Sequence, residues 1–465
     1  MNKILCFLLS LVLPLCAGGY AGFGCSASKP LERSEFAYTE GTLPPGFEWE
    51  AGEGADAENH PANRGLDFAF QDRISRDVLQ NYLSRSMTVS PLFSGDFSRV
   101  NEDMRMIFHT GAKYISRAST AWAPNGAEYQ YFGHHKALIA KAHEADPALV
   151  FEACIFETAY PSVDEIAIPD WVFRAFGRAP ERRNFSHEKM LFRDGSFVDH
   201  FGPGFSMPDI TRLETRMFFY YRACVFIDLG YEALHMGQVH PVGSHDFLWW
   251  HWTRLLTMIR AYARQYARRG FVLLNAHTHG IRGFDGRLLF DFHAWPTRGG
   301  ASPEGAVPHP PTQADPQVIE LRAGYKEAIF GQSKGGRTHS GWRCASLPFY
   351  VELDNWDGYD PDKLDFPVDE GNFHWWGFDE ISWYANQPKE YRQAWLADAW
   401  RWVRETDPAG FLCMPGNRTA ALRDPEDPYV IRQLTYQCNN AEFDPAGFDD
   451  ETAIRRIWLE DRAGR

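Results

Sequence analysis

The chain has 465 residues, a formal net charge of −14, and is 44% hydrophobic, 23% charged and 15% aromatic. This excludes a disordered chain, which would lack the apolar surface to offset chain entropy, and a polytopic membrane protein, since only the N-terminus is apolar for long enough. The acidic balance also argues against binding nucleic-acid phosphates, which takes a basic face.

Met1-Asn2-Lys3 is a short basic start, Ile4 to Leu15 is nearly continuous apolar sequence, and Ala17, Gly18, Gly19 and Ala21 follow. This reads as a signal peptide over residues 1–25, which places the mature chain in the periplasm, on the cell surface or outside the cell. Its end allows two readings: cleavage near Gly19 or Ala21, or lipidation at Cys25, which would be a lipid anchor. The mature chain keeps Cys154, Cys224, Cys344, Cys413 and Cys438, with no CxxC pair and no zinc spacing. Residues 26–65 are rich in Gly, Pro, Glu and Ala and read as a linker or arm.

From Leu66 a β-rich run, a loop and an amphipathic helix recur. Candidate strands are 87–90, 113–117, 149–157, 231–238, 271–277, 288–293, 349–354 and 410–414. Candidate helices are 100–109, 128–144, 247–269, 318–330, 389–406 and 451–462, and one from a Thr211/Glu214 capping box to Gly230. A long insertion, 158–207, follows the third strand. The expected fold is α/β: a (β/α)8 TIM-like barrel over residues 66–440 with long βα-loop insertions, then a tail helix in 441–465. A doubly wound open sheet is the alternative, weakened by the lack of a phosphate-binding glycine pattern after the first strand.

In a parallel barrel the active site lies at the C-terminal ends of the strands. Polar residues late in apolar strands are therefore the candidates. The catalytic candidates are Glu157, Glu232, Glu352 and Asp354, with Glu232 expected near the bottom or middle of the barrel. The substrate-binding candidates are Arg117, Gln238, Asn275, His277, His279, Asp291, His293, Trp356, Trp375, Trp376, Asp379 and Glu380. The eighth strand ends in Asn417 and Arg418. Two carboxyls converging on an aromatic cleft suit glycoside hydrolysis, one protonating the leaving oxygen and the other attacking carbon or activating water. Such a pair should line one cleft, roughly 5–10 Å apart.

Three segments carry a resemblance: Tyr231-Glu-Ala-Leu-His-Met-Gly-Gln238, Leu274-Asn-Ala-His-Thr-His279 and Leu288-Leu-Phe-Asp-Phe-His-Ala-Trp295. In these the chain resembles poorly characterised exported bacterial (β/α)8-barrel proteins that are similar to glycoside hydrolases, over about Leu66 to Arg418. The resemblance implies a secreted carbohydrate-active barrel and fixes no substrate; the first expectation is a secreted or lipid-anchored glycoside hydrolase acting on a poly- or oligosaccharide, with no cofactor and no metal. Two alternatives stand beside it. One is a metal-dependent hydrolase using His277, His279, Asp291 and His293. The other is a non-catalytic carbohydrate-binding barrel. Trp249, Trp250, Trp252, Trp395, Trp400 and Trp402 are expected to pack helices onto the sheet, and Trp122, Trp295, Trp356, Trp375 and Trp376 to lie near the mouth.

Overall fold

A computed structural model describes residues 41–44, 46–47, 60–93, 97–121, 124, 126–296, 333–354, 380–423 and 431–463. The fold is mixed α/β, built on a large curled sheet whose strands are mostly parallel. Its strands are β1 (Ser86–Val89), β2 (Tyr114–Ser119), β3 (Val150–Cys154), β4 (Ala233–His235), β5 (Leu273–Ala276) and β6 (Phe292–Pro296). A small antiparallel pair follows, β7 (Gly336–Arg337) and β8 (Arg343–Cys344), and then β9 (Phe349–Glu352), β10 (Gly410–Leu412), β11 (Met414–Arg423) and β12 (Ile431–Gln437). The order across the large sheet is β10-β9-β6-β5-β4-β3-β2-β1-β11-β12, with only β11–β12 antiparallel.

One segment serves both ends of that order. Gly410–Leu412 pairs with β9, while Met414, Pro415 and Asn417 pair with β1. Only Cys413 separates them, and its N–H donates to the Val351 carbonyl.

The curl is visible in side chains that meet across the concave face. Tyr114 of β2 and Phe292 of β6 have ring centroids 5.6 Å apart, although three strands lie between them in the sheet. Tyr350 of β9 joins the same cluster. The N-terminal end of this face is covered by helix Arg76–Leu83, which the sequence pattern did not suggest. Ser75 caps it through the Val78 N–H, and Val78, Leu79, Tyr82 and Leu83 enter the core formed by Tyr114, Leu273, Phe292 and Tyr350. Leu79 and Leu83 are fully buried; each such side chain is worth about 1.5–3 kcal/mol.

The expected elements hold with shifts. Gly111 and Gly230 end their helices with left-handed backbone, as expected. The expected sixth strand begins later, at Phe292: Leu288 and Leu289 instead bond the backbone of Arg337 and Ile281 as a buried loop. The capping box does not form. Helix Leu213–Leu229 starts after Arg212, the Thr211 hydroxyl donates to Asp209, and Glu214 binds Arg183 and the Ser186 N–H. Helix Glu451–Ala463 is no loose tail. Glu451 accepts from Arg105 and the Asn440 N–H and pairs with His109, and Trp458 is fully buried. Helix 318–330 of the sequence reading lies outside the described residues. All five cysteines among the described residues are free, four of them buried. Among the described residues no helix is long and apolar enough to cross a membrane.

Candidate functional site

The concave face changes from apolar to polar as β1, β2, β3, β5 and β9 approach their C-terminal ends. The lower polar layer centres on Glu152 of β3, which is fully buried. Its carboxylate accepts from the Tyr114 hydroxyl at 2.5 Å, the Ser116 hydroxyl at 2.9 Å, the Arg117 N–H at 3.1 Å and the Asn275 amide at 2.5 Å. Asn275 Oδ1 lies 2.6 Å from His235 Nδ1, and the Ser116 and Tyr350 hydroxyls are 2.8 Å apart. A buried carboxylate with four donors is satisfied, and it ties β3 to β2 and β5.

The upper layer is built around Arg117, and local backbone geometry explains why it points inward. Ile115 pairs with Phe151 and the next pair is Ser119 with Ala153, so β2 bulges by extra residues here. Arg117 sits in the bulge with φ 56°, which turns its side chain onto the concave face beside Ser116. Its guanidinium reaches Glu352 of β9 at 2.6 Å and Asp354 at 3.3 Å. Arg418 of β11 pairs with Asp354 from the other side and lies 3.9 Å from Glu352. The Thr88 hydroxyl donates to Glu352 at 3.1 Å, and His277 Nε2 lies 3.5 Å from Arg117.

Two carboxylates thus alternate with two guanidiniums. Burial pushes the Asp354 carboxyl up, but Arg117, Arg418 and His277 outweigh it and hold Asp354 well below the ordinary carboxylate range. Burial and the charge of Arg117 lower His277 to about 3, and burial with His277 and Arg117 lowers His235 to about 3, so both rings are neutral near pH 7. Glu352 is fully buried, whereas the Asp354 side chain keeps 14% of its surface exposed.

Glu157 stands apart electrically. It follows Phe156, whose φ is 61°, just past the end of β3. One carboxylate oxygen accepts the Gln238 N–H at 3.1 Å. Gly237 makes this approach feasible: its φ is 68°, and a Cβ there would stand 1.7 Å from that oxygen. Burial raises Glu157 to about 7, more than its N–H partners and the charge of Arg117 lower it. Arg117 and Asp354 both act on it electrostatically, and the Arg117 guanidinium lies 5.9 Å from the Phe156 ring.

The structure therefore brings together Arg117, His277, Glu352 and Asp354, with Asn275 beneath and Glu157 and Gln238 beside them. Other candidates lie elsewhere. Glu232 precedes β4 at the opposite end of the sheet, clamped by Arg268 at 2.7 Å and Arg269 at 3.0 Å. It anchors the loop before β5 and takes no part in the site. Asp291 faces away from the concave side, paired with Arg260 at 2.8 Å and accepting the Leu274 N–H. His293 shares that outward side, 2.7 Å from Ser333, and Trp295, expected near the mouth, is fully buried there against Phe349. His279 is half-buried at the rim, 5.9 Å from Trp295. Trp122, Trp356, Trp375, Trp376 and Asp379 lie outside the described residues, and Glu380 is described only as the start of helix Glu380–Ala385.

Residues beyond the sequence-based site set are Arg418, Glu152, His235, Tyr114, Ser116, Tyr350 and Thr88. Period-two alternation along the strands would have grouped Tyr114 with Ser116 and Tyr350 with Glu352. Only the pairing of β1 with β11 brings Arg418 to them.

The metal reading loses its ligand set, because Asp291 and His293 do not face His277. A different trio, His277, Glu352 and Asp354, offers ligand atoms within 4.8 Å of one another. It suits a divalent cation poorly: Arg117 and Arg418 already compensate both carboxylates, and a cation placed there would meet two guanidinium charges. No protein-family model matches the chain, and no curated protein matches it.

Proposed function

We propose that the protein is a glycoside hydrolase of (β/α)8-barrel architecture. For the architecture, the support is the segment 410–417, whose two halves pair with β9 and β1; in this reading it would close β1 to β6 and β9 into eight parallel staves. For the chemistry, one observation carries the reading. Two carboxyls at the C-terminal ends of β3 and β9 are driven apart in acidity, Glu157 upward by burial and Asp354 downward by two arginines. Pairs pushed apart in this way divide acid and base roles.

Glu157, protonated near neutral pH, donates its proton to the glycosidic oxygen as the bond to the anomeric carbon breaks. Asp354, held ionised, either attacks the anomeric carbon or takes a proton from the water that does. Arg117 and Arg418 keep Asp354 charged and oriented, and neutral His277 stands ready to hydrogen-bond a hydroxyl. The apolar N-terminal segment supports export, with Cys25 as the candidate for a lipid anchor.

The test is reducing-sugar release from a panel of poly- and oligosaccharides, with wild-type protein and the Glu157→Gln and Asp354→Asn variants. General acid catalysis contributes about 10²–10⁴-fold, so Glu157→Gln should lose at least that much on unactivated substrates. It should keep more activity on aryl glycosides, whose leaving groups need no proton. Binding of a glycan without product release would favour the non-catalytic reading, and cleavage that survives both substitutions would refute the assignment.

A further inference from the structure

A second concave feature lies on the same end of the sheet as Glu157. Ala159, two residues past Glu157, pairs with Ser206, and Ile210 bonds to Val242 of the turn that follows Gln238. Between this insertion and the start of helix Leu213–Leu229 is a cavity of about 660 Å³. It is lined by Lys189, Arg193, Arg212, Arg216 and His245, together with Asp194, Asp209 and Glu214.

The acids are already engaged. Glu214 holds Arg183 at 2.6 and 3.0 Å, and Asp209 accepts the Thr211 N–H and hydroxyl, both at 2.7 Å. Asp194 accepts the Ser196 N–H at 3.1 Å and lies 3.5 Å from His245. The cations, by contrast, bond only to carbonyls or not at all among the described residues. Arg216 donates to the carbonyls of Ile210 and Thr211, and Arg212 donates to the carbonyl of Lys189. No carboxylate among the described residues lies within 4 Å of Lys189, Arg193, Arg212 or Arg216. Burial, with the neighbouring Arg254, lowers Arg216 more than the charges of Asp246 and Asp209 raise it. On a chain of net charge −14 this is a local excess of positive charge gathered into a concavity.

Next to it the loop Phe247–Trp250 projects apolar side chains. Leu248 and Trp249 have φ 55° and 57°, and Phe247 and Leu248 are 82% and 60% exposed. Trp250, expected to pack its helix on the sheet, instead pairs with exposed Phe284 at 4.4 Å. Aromatic rings beside unpaired cations suit a sugar ring that carries a negative group.

We infer that this cavity is a subsite for an oxyanion, a sulfate ester or a carboxylate, carried on a glycan, so that the substrate is an anionic polysaccharide. This rests on the glycoside-hydrolase reading. Because Lys189 and Arg193 are exposed and hold no structural bond from their charged groups among the described residues, the Lys189→Ala/Arg193→Ala double variant leaves the fold intact.

The test is binding and cleavage by the full chain of a sulfated polysaccharide, a polyuronate and a neutral glucan, at low and high salt, with inorganic sulfate and anionic phospholipid vesicles as controls. Salt-sensitive binding of an acidic glycan, weakened about tenfold in the double variant, is expected for two charge-assisted contacts. Whether the sulfated chain or the polyuronate is preferred identifies the oxyanion. Equal use of the neutral glucan overturns this inference and leaves the hydrolase reading standing. Binding of inorganic sulfate alone makes the cavity a site for an adventitious ion only, and binding of vesicles alone makes it a membrane contact; either overturns it. Failure to bind or cleave any glycan overturns both readings.

Discussion

Replacing Glu157 by Gln tests the electrostatics of the site without knowledge of the substrate. In the folded protein its carboxyl loses a proton at about pH 7; its ordinary value is 4.5. Below pH 4.5 both the folded and unfolded chains hold the proton. Between 4.5 and 7 the unfolded chain releases it and the folded chain does not, so the stability contributed by the neutral carboxyl falls as pH rises and is gone above 7. At 1.36 kcal/mol per decade of proton affinity, the loss is about 3 kcal/mol. Gln is neutral at every pH and its carbonyl can still accept the Gln238 N–H. The stability of Glu157→Gln relative to wild type should therefore rise by about 3 kcal/mol from pH 4.5 to about pH 8. Urea unfolding of both proteins across that range measures it. His235 and His277, both lowered to about 3, favour the folded state as pH rises through 6.5, but both proteins carry them and the difference removes them. A difference that stays flat with pH would refute the idea that burial keeps Glu157 protonated.

Asp354→Asn should destabilise the protein by about 3–5 kcal/mol in urea unfolding, because it strips a partner from two buried arginines. Gly237→Ala should cost roughly 2–5 kcal/mol, from left-handed backbone and overpacking, and NMR titration should find Glu157 displaced toward ordinary acidity. Glu232→Gln should lower the thermal midpoint, because it weakens the clamp on Arg268 and Arg269, while leaving the titration of Glu157 unmoved. Chelator treatment should leave the unfolding midpoint unchanged, since arginines already compensate Glu352 and Asp354; a drop of several degrees would restore the metal reading.

The strands were legible because each is a short, buried, β-rich run bounded by turn residues, and the late-strand carboxyls of β3 and β9 followed from position alone. Arg117 was legible as a polar strand end, but the bulge that turns it inward leaves no periodic mark. Alternation correctly paired Asp291 with His293 and Asn275 with His277. It could not tell which side of the sheet is concave, and so one pair joined the site and the other did not. The low position of Glu232 was legible from its place just after Gly230, but not its clamping by Arg268 and Arg269, just before β5 and distant in sequence. Helix Arg76–Leu83 was missed because its apolar face is short. The capping box failed because Arg183, in the insertion, outcompetes the Leu213 turn for Glu214.

The change of partner at Cys413 also bears on synthesis. Among the described residues, the free edge of β1 is covered only by Met414–Asn417 and that of β9 only by Gly410–Leu412. A growing chain shorter than about 410 residues therefore carries two bare strand edges, which invite pairing with other chains. Both are covered by one stretch of eight residues, so release of the sheet from aggregation-prone states should come in a single step, once that stretch has been made.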